Sequence, residues 1–360
     1  MTSGEQRPAQ TITDYEKVSK QGDTRVAAFD EDDDTPLRRL QHFLHSHPTA
    51  IPAIVLLLSV VLFSVVAGGR FLHPFNLSLV LQQVTIIGFV AVAQSLIVLT
   101  AGIDLSVSAI MVLSAVVMGK FAVQLGVPVP LAFAAGLLVG VVCGLINGLL
   151  VTRLRLPPFI VTLGTLSIFF ALNLWYSESE TIRAQDIEAT APFLQWTGAS
   201  FQLLGARITL GSLLMLATFG LFWYLLNWTA YGRHIYAIGD DPDAARLAGI
   251  STDKLLLSVY VIAGLICSIA GWALIGRIGS VSPLASTVNL DSITAVVIGG
   301  ISLFGGRGSI LGPLMGALIV GVFRSGLSLS GLDVLWQDFT VGILIIVAVA
   351  IDQWLRKVSA

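Results

Sequence analysis

Ten long apolar runs separated by short polar breaks occupy the chain from about residue 51 onward. A helix that crosses about 30 Å of hydrocarbon at about 1.5 Å per residue needs around 20 residues. Windows of that kind fall at about 51–69, 79–99, 105–125, 129–151, 159–176, 208–228, 255–276, 290–304, 309–328 and 337–354. They predict an all-α, polytopic membrane domain over residues 51–356. The eighth window is short and carries Gly299 and Gly300, so a broken or re-entrant helix is expected there. Pro128 and Pro130 open the fourth window, and Pro157 and Pro158 open the fifth, positions where a missing N–H leaves no helical bond unmade.

Composition sharpens the picture. Hydrophobic residues make up 55% of the chain and charged residues 12%, with a mean hydropathy of +0.86. That is too little charge to cover a water-soluble body of this size. Residues 1–50 differ: they are polar, hold 9 of the 22 acidic residues, and include the run Asp30-Glu31-Asp32-Asp33-Asp34. With no apolar stretch near Met1, this segment is expected to be a disordered acidic cytoplasmic tail rather than a signal peptide.

An even number of spans puts both ends on one side. With the N-terminus inside, 14 of the 20 basic residues fall on that side, among them Arg153, Arg155, Arg233, Arg246, Lys254 and Arg307. Arg70, Lys120, Arg183, Arg207, Arg277 and Arg324 fall on or near the other side. The bias predicts cytoplasmic termini. Trp175 and Tyr176, then Trp223, Tyr224, Trp228 and Tyr231, and finally Trp336 and Trp354 mark span ends as interfacial anchors. The segment from about 177 to 207 becomes the main external loop, read as solvated or as contacting an extracytoplasmic partner.

Candidate chemistry narrows the function classes by exclusion. Cys143 and Cys267 lie inside apolar runs, as small packed thiols do, and the five histidines lack zinc-ligand spacing. No phosphate loop of the form G-x-x-x-x-G-K-[ST] is present, and no nucleophile with a base can be assembled. Neither metal nor cofactor, catalytic residue nor nucleic-acid partner is expected.

Two features remain. The loop at about 229–254 contains Asp241-Pro242-Asp243-Ala244-Ala245-Arg246-Leu247-Ala248-Gly249-Ile250. Asp241 suits an N-cap, Pro242 the first helical position, Asp243 the positive helix end, and Gly249 a left-handed stop. So short a helix needs a surface to pack on. Either its own loop supplies one or a separate cytoplasmic subunit does, with Leu247 and Ile250 as apolar contacts. Second, polar residues interrupt the spans: Gln82, Gln83 and Gln94, then Asp104 and Ser106, Asn147, Thr162 and Thr165, and Asn289 and Asp291. They suit either bonding between helices or a pathway for a neutral polar solute. For Asp104, capping the third span with Ser106 and lining a pathway are both open.

The chain resembles the permease subunits of bacterial ATP-binding-cassette importers for monosaccharides, the ribose, xylose and arabinose type. The likeness covers approximately residues 50–355. It rests on Ala101-Gly102-Ile103-Asp104-Leu105-Ser106-Val107, on Gly144-Leu145-Ile146-Asn147-Gly148 followed by Pro157-Pro158-Phe159-Ile160-Val161-Thr162-Leu163-Gly164-Thr165, on the loop just described, and on Val297-Ile298-Gly299-Gly300-Ile301-Ser302-Leu303-Phe304-Gly305-Gly306-Arg307-Gly308-Ser309. The resemblance implies a type II-like importer permease in the inner membrane and a coupling role for residues 241–249. It also implies three partners: a separate ATP-binding-cassette subunit, a periplasmic sugar-binding protein and a second permease copy, identical or not. A pentose is the narrower expectation for the solute. An ion-coupled sugar carrier is the alternative.

Overall fold

The computed structural model describes residues 50–359 apart from 204, 285 and 286, with side chains described no further than 350. The acidic run at 30–34 and the rest of the expected tail lie outside the described residues. From Ala50 the chain forms α1 (Ala50–Val66), α2 (Pro74–Leu99), α3 (Val107–Gly119), α4 (Val129–Thr152) and α5 (Pro158–Ser177). A short α6 (Ala184–Thr190) and a two-stranded hairpin, β1 (Ser200–Leu203) with β2 (Ala206–Thr209), precede α7 (Leu210–Trp228). Then come α8 (Ala230–Asp240), α9 (Pro242–Leu247), α10 (Thr252–Ile278), α11 (Val288–Ile298), α12 (Leu311–Leu329) and α13 (Val334–Ser359).

Seven helices are long and apolar enough to cross a membrane, α3 among them through its π-helical continuation to Gln124, and three shorter apolar ones lie in α1, α11 and α13. The ten predicted windows are therefore all helical, and the eighth is the broken one: α11 has only 11 residues and runs into the Gly299–Gly300 turn. The prolines stand where expected, with Pro128 and Pro157 at the N-caps of α4 and α5.

Large apolar side chains such as Leu57, Val65, Ile160 and Trp175 are exposed, as a lipid-facing surface requires, and the core holds residues with equally apolar side chains. Large side chains such as Phe71, Phe89 and Tyr260 are buried too, and at some helix contacts the side chain is absent altogether. Along α4, Gly140 and Gly144 meet α10 so closely that a Cβ on either would overlap the Gly264 or Tyr260 carbonyl. Without a hydrophobic force between helices in lipid, such backbone contact is what drives association.

The segment expected to be an external loop departs from a wholly solvated chain. Residues 184–198 fold back onto the bundle: Ile187, Ala191 and Leu194 are fully buried. Trp196 stacks on Trp272 with ring centres 5.7 Å apart, and Phe193 lies 5.2 Å from the same ring. The Trp272 indole N–H donates to the Phe193 carbonyl at 3.3 Å. Apolar burial outweighs solvation of the few charges in this stretch, which stay exposed.

Candidate functional site

Between α2 and α3 the helix is interrupted over residues 100–106, within the buried part of the bundle. Non-helical backbone at membrane depth survives only when protein satisfies its polar groups. Here side chains from three helices bond its backbone and one from a fourth bonds its side chains. Thr162 of α5 donates to the Ile103 carbonyl at 3.0 Å, and Asn289 of α11 donates to that of Leu105 at 3.4 Å. With its amide oriented to suit its neighbours, Gln94 of α2 donates to the Asp104 carbonyl at 2.9 Å and accepts from the Asp104 N–H at 3.3 Å. Asn147 of α4 donates to Ser106 Oγ at 2.8 Å and to Asp104 Oδ2 at 3.4 Å.

Asp104 itself is 2% exposed, and its Oδ1 accepts from the Ser106 N–H at 2.7 Å and from the Ser106 hydroxyl at 2.6 Å. That is an Asx-type turn leading into α3, whose N-cap residue is Ser106, and it places a carboxylate near the positive helix end. Asn147 Oδ1 and the Tyr260 hydroxyl, both buried, find no partner among the described residues.

The other sequence-predicted residues divide. Gln82 and Gln83 are half-buried on α2, about three turns before Gln94, and do not join this cluster. Thr165 donates to the Thr162 carbonyl at 3.4 Å, a bond within its own helix. Asp291 belongs to a second polar centre: Arg324 Nη2 of α12 bonds Asp291 Oδ1 at 2.7 Å and Asp338 Oδ1 of α13 at 3.0 Å. Arg324, counted above among residues near the outer side, is thus a buried tie between α11, α12 and α13. Asn289 and Asp291, two positions apart on a helix, face in different directions.

Beside the interrupted segment lies a cavity of about 320 Å3. Ser108 of α3, Ser167, Phe170 and Asn173 of α5, and Leu284 and Asn289 at the entry to α11 line it. Asn173 is fully buried; its Nδ2 donates to the Pro283 carbonyl at 2.7 Å, and its Oδ1 has no partner among the described residues. Sequence reading missed Asn173 and Ser167. The available signal was a lone amide inside the apolar run Leu172-Asn173-Leu174.

At one end of the bundle, α9 forms as predicted. Asp241 Oδ1 accepts from the Asp243 and Ala244 N–H groups, each at 2.9 Å, Pro242 begins the helix, and Gly249 takes φ +87°. Leu247 is 90% exposed. Arg246 reaches Thr252 Oγ1 at 3.1 Å and Asp253 at 3.8 Å, bracing α9 on the start of α10. Unforeseen is α8, whose buried Gly232, Ile235, Ile238 and Gly239 form a helical stripe. Its Tyr231 shares a 2.9 Å hydrogen bond with Ser258 Oγ, so this ring is a packing element rather than an interfacial anchor. Tyr236 donates to the Gly308 carbonyl at 2.9 Å. Burial pushes both phenols above their ordinary range, so they keep the protons they bond through.

At the C-terminal end of α8 three backbones interlock. The Gly306 N–H donates to the Leu99 carbonyl at 3.0 Å, and a Cβ on Gly239 would overlap that same carbonyl. The helix that precedes α9 therefore touches both the end of α2, just before the interrupted segment, and the loop between α11 and α12.

Interrupted membrane helices and a capped helix at one end of the bundle suit a transport protein, and comparison with known proteins gives the family. Residues 76–349 match the family described as "Branched-chain amino acid transport system / permease component". The chain belongs to this permease family. It is 58% identical over 353 residues to the fructose import permease protein of Rhizobium meliloti, covering 98% of each chain. It is 38% identical to the ribose import permease protein of Bacillus subtilis, over 86% of this chain and 93% of that one. Identity to the galactose/methyl galactoside import permease protein of Escherichia coli is 32%, over 83% and 92%. No solved structure matches. The permease is a multi-pass membrane protein, as its seven long apolar helices require.

Proposed function

We propose that this permease is the transmembrane subunit of an ATP-driven importer that carries a monosaccharide across the bacterial inner membrane. It works with an ATP-binding-cassette subunit that hydrolyses ATP, a periplasmic sugar-binding protein, and a second permease copy. Both termini and α9 lie on the cytoplasmic side. The observation that carries the reading is α9 itself: a capped helix too short to stand alone, holding Leu247 out at 90% exposure. A large apolar side chain held in water on a rigid mount fits a groove on another subunit. The relatives named for fructose, ribose and galactose import support a sugar as the solute, and the 58% relative makes fructose, not a pentose, the first sugar to test.

In this reading ATP binding draws two cytoplasmic subunits together, and each moves one α9. Through α8 that motion reaches Leu99 and Gly306, and so the interrupted segment at 100–106 and the loop between α11 and α12. The permease contributes no covalent chemistry; nucleotide shifts its equilibrium through contacts that differ between states. Of the predicted pathway residues, Asn289 stands at the cavity, whereas Gln94, Asp104, Ser106, Asn147 and Thr162 hold the backbone beside it.

Reconstitution with the ATP-binding-cassette subunit and the binding protein tests the proposal. Sugar uptake should persist with uncouplers and stop when that ATPase is inactivated; the reverse would identify an ion-coupled carrier. A cysteine at Leu247 should react with impermeant reagents only from the cytoplasmic side.

A further inference from the structure

We infer that the cavity between α3, α5 and the entry to α11 is a holding site for one neutral, polyhydroxylated solute, with the amides of Asn173 and Asn289 as its selective contacts. This deepens the proposed function and rests on it.

Placement is the first argument. The cavity lies beside two breaks in the helical array: residues 100–106 between α2 and α3, and the non-helical stretch 279–284 that follows α10. Asn289 belongs to both regions, since it lines the cavity and donates to the Leu105 carbonyl. Discontinuous helices meeting inside the bilayer are the usual setting of a solute site.

Chemistry is the second. Among the described residues the cavity is lined by two amides, two hydroxyls from Ser108 and Ser167, the Phe170 ring and the apolar side chains of Ala109, Val112, Leu166 and Leu284, with no ionisable side chain. A purely apolar void would have no reason to collect four polar groups, and a lipid chain would leave them unmatched. A zwitterionic amino acid needs charge partners, yet the helix end nearest the cavity, that of α3, is already complemented by Asp104. A sugar fits. Its hydroxyls both donate and accept, as a carboxamide does, and its C–H face can lie on an aromatic ring.

The contacts are also weak enough to release. Asn289 reaches its backbone partner at a long 3.4 Å, so exchanging that bond for a hydroxyl loses little. Asn173 keeps an acceptor oxygen without a partner among the described residues. At about 320 Å3 the space is at the small end of the range of about 300–1,000 Å3 for small-molecule pockets. Asp291, held by Arg324, fixes the rotation of α11 and with it the direction of Asn289.

The test uses the full complex in proteoliposomes. Ser167 is exposed at the cavity wall, so Ser167→Trp fills the space without disturbing the core. It should lower ATP-dependent uptake of D-fructose and D-ribose by at least about tenfold, while ATP hydrolysis by the assembled complex continues. In parallel, Ser167→Cys is labelled with a polar maleimide; the native Cys143 and Cys267 are buried. Excess D-fructose or D-ribose should slow that labelling, and L-leucine should not. Asn289→Ala should change the ratio of fructose to ribose uptake. Wild-type uptake by Ser167→Trp, labelling indifferent to both sugars, or protection by leucine alone overturns the holding site. Wild-type sugar uptake without ATP would instead overturn the importer reading, and the protection result would stand apart from it.

Discussion

At the scale of single residues, Asp104 is the clearest case of a polar group that apolar surroundings tolerate only because it is fully used. One oxygen takes two donors from Ser106, and the other faces Asn147. Asp104→Ala removes the acceptor and leaves those donors buried, at about 1–3 kcal/mol. Asp104→Asn keeps one acceptor and should cost less. Thermal unfolding in detergent should rank wild type above Asn above Ala, and equal midpoints would refute a role for the Asp104–Ser106 turn in holding this segment. A contact between Asp104 and Ser106 was legible because they stand two apart ahead of an apolar run. That Thr162, Asn147, Gln94 and Asn289 serve the same seven residues was not, because they are up to 195 positions apart along the chain and meet only when it folds.

Among elements, the short α11 is held by its ends. Arg324 ties it to α12 and α13, and removing one member of a buried pair leaves an uncompensated charge, a loss of about 3–5 kcal/mol. Arg324→Met should therefore destabilise the permease strongly, and Arg324→Met with Asp291→Leu should recover much of the loss. A double mutant no better than Arg324→Met alone would show that the pair is not what holds α11. The spans and α9 were readable from hydropathy and capping chemistry, each a local signal. The α8 stripe was equally local but was hidden by Tyr231, His234 and Tyr236, whose polar tips made the segment look like loop. The folded segment at 184–198 was hidden differently: Ile187, Phe193, Leu194 and Trp196 are scattered, and only Trp272 and Phe133 from other elements bring its rings into a cluster.

For the molecule as a whole, force has to pass from α9 to the cavity. Leu247→Asp should leave the protein inserted and folded, since the side chain touches little of its own chain, yet abolish ATP-dependent uptake. Normal uptake would remove α9 as the docking element. Gly239→Ala should leave docking intact and uncouple ATP hydrolysis from transport, because a methyl there cannot coexist with the Leu99 carbonyl; full coupling in that variant would sever the proposed route. One consequence lies in α4 and α10. Main chain rests on main chain at Gly140, Gly144 and Gly264, with only the small Ser268 hydroxyl beside Gly140. Such a pair can neither slide nor shear without collision, so it travels as one plank. The bending must then be taken up at the two non-helical joints, and spin labels at Leu138 on one helix and Ile278 on the other should report an unchanged separation with and without nucleotide.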